Sequence, residues 1–139
     1  MIKDVNKIPA FLSSLPSEKE RLLRLVGAFL EGKVKLTIQQ GRPEWPPLKP
    51  ETIKRKGSSK PLIDTGKLMN SITHKVEKSV VKVGVFGEYA VVAAVHELGS
   101  AVRNIPARPY LKPTLDENEK NIELLIKSEI EKLLDKYKV

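Results

Sequence analysis

The chain has 139 residues, a length that suits one domain and lets a globule hide roughly 68% of its unfolded surface. Hydrophobic residues make up 40% and charged residues 30%, which excludes the disordered, collagen-like and fibrous classes. The absence of cysteine removes disulfides, thiol nucleophiles and thiolate metal sites, no apolar run nears the roughly 18 residues of a membrane span, and residues 1–5 show no signal pattern, so cytosolic folding without a membrane is expected.

The formal net charge of +8 is unevenly spread. Residues 1–44 hold 8 cationic against 5 acidic side chains, residues 45–115 hold 12 against 5, and residues 116–139 hold 5 against 7. A basic middle favours an acidic partner, either nucleic acid or an acidic protein face, and charge alone does not choose between them. Scattered lysines are equally what keeps a surface soluble.

Taken in order, residues 8–15 read as a separate apolar turn closed by Pro16. Ser17 with Glu20 three residues on forms a capping-box pattern, and Leu22, Leu23, Val26, Phe29, Leu30, Val34 and Ile38 give one apolar stripe on a helix over 18–40 that Gly41 ends. Residues 41–61 carry five of the ten prolines, so the start of this stretch is a long connection. It holds the single tryptophan, Trp45, which either packs down on the core or awaits a partner, with anchoring the favoured reading. One helical turn fits 51–56, and Lys54, Arg55, Lys56 and Lys60 around Gly57, Ser58 and Ser59 read as a mobile basic loop.

Asp64 or Thr65 is expected to cap a short helix over 66–72, starting at Gly66. The period then changes to that of a β-hairpin, turning at Lys78 and Ser79 into a strand rich in valine (Val81, Val83, Val85). Residues 89–98 suit a helix, with Gly99 just past its end. Pro106 and Pro109 forbid a helix over 101–111 and suit an edge strand or an extended arm. In the arm reading Arg108 bonds a carboxylate or backbone carbonyls, beside His96 in its own subunit or across an interface, and in the edge-strand reading Arg108 is exposed while Tyr110 and Leu111 are buried. The last helix, over 114–137, repeats Leu115, Ile122, Leu125, Ile126, Ile130, Leu133, Leu134 and Tyr137 at helical spacing with Asp116, Glu117 and Glu119 first, and it must lie across the sheet or project into a neighbour. The order of elements implies a single α+β domain in which long terminal helices pack a small antiparallel sheet.

Catalytic motifs are weak. The LIDTG run at 62–66 resembles the signature of retroviral-type aspartic proteases, yet the following residues read as helix and a helix cap needs the same residue types. His96 followed by Glu97 lacks the second histidine that a zincin needs, Ser100 standing there instead, and His74 has no metal-ligand spacing to it. No phosphate-binding glycine loop, dinucleotide fingerprint or nucleophile elbow is present, so neither an enzyme nor a cofactor is expected.

Several segments stand here in one order: WPPL at 45–48, LIDTGKL at 62–68, NSI at 70–72, YAVVAAVHELG at 89–99 and IPARPYL at 105–111. They include Trp45, Asp64, Thr65, Gly66, Tyr89, His96, Gly99, Ile105 and Pro106, and over about residues 45–115 they resemble the phage virion morphogenesis, or tail-completion, family. One departure is Leu98, where members often place an aromatic residue. The resemblance implies a non-enzymatic protein that completes the tail or head-tail joint of a tailed phage or prophage as a ring of identical subunits, in contact with other tail or connector proteins. It implies residence in the host cytoplasm during assembly and then in the virion. Trp45, Lys54, Arg55, Lys56, Lys60, Arg108, Pro109 and Tyr110 are the interface candidates. The alternative from charge is a basic nucleic-acid-binding protein, and a homodimeric aspartic protease is a third reading.

Overall fold

The computed structural model describes residues 7–64 and 66–138. Helix α1 (Ile8–Gln40) is followed by α2 (Pro50–Lys56), α3 (Lys67–Ser71), the hairpin β1 (Thr73–Glu77) and β2 (Val80–Gly84), α4 (Ala90–Leu98) and α5 (Lys112–Tyr137). The fold is therefore α+β, with long terminal helices and a two-stranded antiparallel sheet, as the periodicities imply. The strands pair from Thr73 opposite Gly84 to Glu77 opposite Val80, and Lys78 and Ser79 take positive φ in the two-residue turn.

Helix α1, about 50 Å long at 1.5 Å per residue, is the hub. The hairpin, α3 and α5 all pack on it, and Val26, Leu30, Val34 and Ile38 are its buried side chains. Gly27 is buried too, because His74 of β1 lies on it: a Cβ there would stand 2.5 Å from the imidazole Cδ2. His74 Nδ1 lies 3.0 Å from Glu31 Oε1, so this histidine packs and hydrogen-bonds. The enclosed core gathers Val34 and Ile38 with Trp45, Leu62, Leu68, Ile72, Ala93 and Tyr110.

The start of α1 differs from the sequence expectation. Residues 8–15 are continuous with it, Pro16 is interior, and the Ser17–Glu20 pair is no cap, since Ser17 Oγ donates to Ser14 O at 3.1 Å within the helix. Tertiary packing offsets the missing Pro16 N–H: α5 runs antiparallel beside this half, with the Phe11 and Tyr137 rings 5.9 Å apart edge-on. Arg21 donates to both Glu18 and Glu129. Pro16 is also exposed.

Helix α5 lies along α1 rather than across the sheet. At its start Arg42 Nη1 and Nη2 grip Glu117 at 3.1 and 2.6 Å, a bidentate pair that raises the arginine further above its ordinary range and lowers the Glu117 carboxyl against the opposing effect of burial.

Candidate functional site

The proline-rich connection is fastened by two side chains. Trp45, 6% exposed, donates its indole N–H to Pro109 O at 2.9 Å, which gives the anchoring reading of the tryptophan. Arg108, 8% exposed, returns the contact, its Nε donating to Pro46 O at 2.8 Å and Nη2 to Pro47 O at 3.3 Å. Its backbone N–H donates to His96 O at 2.9 Å. The arginine thus meets backbone carbonyls of its own chain beside His96, as the own-subunit form of the arm reading has it, and the exposed arginine of the edge-strand reading does not describe it.

Residues 100–111 form a folded-back loop instead of a strand. Ser100 and Ile105 exchange backbone hydrogen bonds at 2.8 and 2.9 Å, and the chain then passes beneath α4. Gly99 makes this approach possible: at φ 75° and ψ 176° it sits where side chains rarely fit, and a Cβ would lie 2.7 Å from Ala107 N. Tyr110 is fully buried, its hydroxyl donating to Ala93 O at 2.8 Å, and burial together with the nearby Glu97 charge raises the phenol above its ordinary range. Thr114 Oγ1 donates to Tyr110 O at 2.6 Å and lies 2.7 Å from Thr37 Oγ1, tying α5 to α1.

Sequence reasoning missed Glu97. Its Oε1 accepts from Tyr110 N at 3.0 Å and Leu111 N at 2.7 Å, and Oε2 from Lys112 N at 3.5 Å. A carboxylate from the last turn of α4 therefore satisfies the free N–H groups at the start of α5, where an anion also suits the helix dipole. No local pattern marks it, because the cap is supplied thirteen to fifteen residues earlier in the chain. Leu98 beside it is 76% exposed, so the departure from the aromatic falls on the surface.

The basic segment is partly ordered. Lys54, Arg55 and Lys56 occupy the last turn of α2, where cations suit the helix end, and Gly57 ends it with positive φ. Lys56 turns inward, Nζ donating to Lys60 O at 2.9 Å and Pro61 O at 3.2 Å, and burial lowers its pKa. Lys54 and Lys60 are exposed. Asp64 does not cap α3: the residue ahead of the helix is Gly66 at φ 81°, no side chain caps it, and the Asp64 carboxylate faces Arg55 Nη1 at 3.8 Å. Thr65, the other expected cap, lies outside the described residues.

Arg55, Lys56, Asp64, Lys67, His96 and Arg108 line one cleft of about 400 Å³ between α2, α3 and α4. Its walls include Leu48, Leu62 and Tyr89, and Lys67 Nζ stands 4.6 Å from the Tyr89 ring centroid. His96 is half-buried, and burial, Arg108 and Lys56 in that order lower its imidazole below the ordinary 6.5. The cleft draws together residues from four of the five short segments, including Leu48, Leu62, Asp64, Tyr89, His96, Ile105 and Arg108.

The model of the phage virion morphogenesis family matches residues 2–131. The chain belongs to this family. The match takes in both terminal helices, well beyond the 45–115 span that the short segments cover. Membership in the virion morphogenesis family gives the chain a role in building phage particles and a place in the virion. The chain is also 31% identical over 112 residues to the uncharacterized protein MJ0331 of Methanocaldococcus jannaschii, an alignment covering 76% of this chain and 82% of that one. No solved structure matches. Among the described residues no helix is long and apolar enough to cross a membrane, and no group of three or more histidines and carboxylates is placed to hold a metal.

Proposed function

We propose that this virion morphogenesis protein is a non-enzymatic subunit that completes the tail or the head-tail joint, working as a closed ring of identical copies. The observation that carries this reading is the apolar surface left open along the α1–α5 pair. Leu12 is 56% exposed and Ile130 44%. Leu12, Leu15, Pro16, Leu22, Ile130 and Leu133 border one groove of about 730 Å³ there, with Glu18, Lys19 and Ser79 at its polar edge. Contiguous apolar surface of this kind marks an interaction site, and a second copy would bury it at every junction of a ring.

Native mass spectrometry of the purified full chain, with and without duplex DNA, tests the reading. A closed oligomer formed without DNA supports it. A monomer that binds duplex DNA tightly and in a salt-dependent way would instead favour the nucleic-acid-binding alternative, for which the net charge of +8 is the supporting feature.

A further inference from the structure

The cleft beside Arg108 gathers more cations than carboxylates. Arg55, Lys56 and Arg108 contribute three cations and Asp64 one carboxylate, which faces Arg55 at the rim. Among the described residues neither Arg108 nor Lys56 forms a direct ion pair with a carboxylate, the Asp64 charge reaching Lys56 only at longer range, and both donate to backbone carbonyls. A guanidinium that is 8% exposed and lacks a counter-ion is costly to bury, and the fold nevertheless fixes it with two bonds to the proline-rich connection. Two of its five N–H groups are occupied by those carbonyls, which leaves donors available for an acceptor entering the cleft.

We propose that this cleft receives an acidic side chain from another protein of the particle, its carboxylate meeting Arg108 and Lys56 and its apolar neighbours meeting the leucine walls. The partner follows from the proposed assembly role; the binding chemistry follows from the cleft itself. Shape decides between protein and nucleic acid. Leu48, Leu62, Leu68 and Ile105 line a concavity with room for a side chain and its flanks, whereas the phosphates of a duplex lie along its outer ridges and bring no apolar group to such walls. The receptor is pre-organised, because carbonyls of residues 46, 47, 60 and 61 already hold both cations in place, so little ordering opposes docking.

His96 supplies the readout. It lines the same cleft, and the two cations are among the causes that hold its imidazole low, so a carboxylate seated between them raises its titration midpoint. The test is a nuclear magnetic resonance titration of the full chain with an acetylated, amidated leucine–glutamate–leucine tripeptide, its glutamine counterpart, and a short DNA duplex. The glutamate peptide is expected to saturate, to raise the His96 midpoint, and to bind about ten-fold more tightly than the glutamine peptide. Lys56→Gln is expected to weaken it about ten-fold with the fold intact, a safer variant than Arg108→Ala, which also frees the connection. Lys54→Gln, outside the cleft, should leave binding unchanged. Equal affinity for the two peptides, no saturation by about 10 mM, or a His96 shift produced by the duplex and not by the peptide would each overturn the proposal. Self-association is measured separately without peptide, so failure of this site and failure of the ring reading are distinguishable.

Discussion

The two ends of the molecule are stabilised in different ways. At one end Ile38, Trp45, Ile72 and Tyr110 are nearly or fully enclosed, and every polar group drawn in with them meets a partner: the indole meets Pro109 O, the phenol Ala93 O, and the threonine pair at 37 and 114 one another. At the other, α1 and α5 run side by side with Leu22, Ile126 and Leu133 only half-buried, and exposed ion pairs such as Arg21 with Glu129 and Lys136 with Glu18 join the rims. Exposed pairs contribute little to stability. The enclosed end therefore holds the fold, while the helical end keeps apolar surface available.

Substitutions that attack the enclosed end should have the largest effect. Tyr110→Ala removes a fully buried ring and its bond to Ala93 O, and should cost about 3–5 kcal/mol by urea denaturation, against about 1 kcal/mol for Tyr110→Phe, which keeps the ring. Equal losses would show that the ring is not the anchor. Gly99→Ala should follow at about 1–3 kcal/mol, since its Cβ meets the Ala107 backbone and its φ of 75° is strained for a side chain. Glu97→Ala should cost about 1–2 kcal/mol by frustrating the N–H groups at the start of α5, and Glu97→Gln less, because an amide oxygen still accepts.

A smaller effect is expected from pH. Folding keeps His96 neutral below its ordinary pKa of 6.5, so the unfolded chain takes up a proton first as the pH falls. The His96 contribution to stability is level above about pH 7 and declines as the pH drops through 6.5, before the lowered carboxyls of Glu31 and Glu117, whose contribution fades only below about 4.5, come into play. Thermal melts between pH 7 and 5 should slope downward in the wild type and less so in His96→Gln.

What could be read from the sequence follows the same division. Regular spacing announced α5 and most of α1, alternation announced the hairpin, and glycines 41 and 99 marked helix ends that the structure keeps. Local chemistry misled where tertiary contacts outweigh it. Pro16 looked like a terminator, yet α5 packs beside it; Ser17 and Glu20 looked like a capping box, yet the helix begins nine residues earlier. Asp64 looked like a cap and instead faces Arg55 across the cleft rim. Nothing near Gly27 in sequence reveals that His74 lies on it. The cleft was visible only as separate short segments, since its cations come from α2, the start of α3 and the loop after α4.

The exposed stripe provides the sharpest contrast, because breaking it should hardly change the monomer. Replacing Leu12 and Ile130 together by serine alters two side chains that are 56% and 44% exposed, so the unfolding free energy should move by only about 0.5 kcal/mol per site. Native mass spectrometry of this double variant beside the wild type is the most direct measurement. A closed oligomer for the wild type and a folded monomer for the variant are the results the account predicts. A wild type that stays monomeric, or a variant that assembles as well as the wild type, would contradict it.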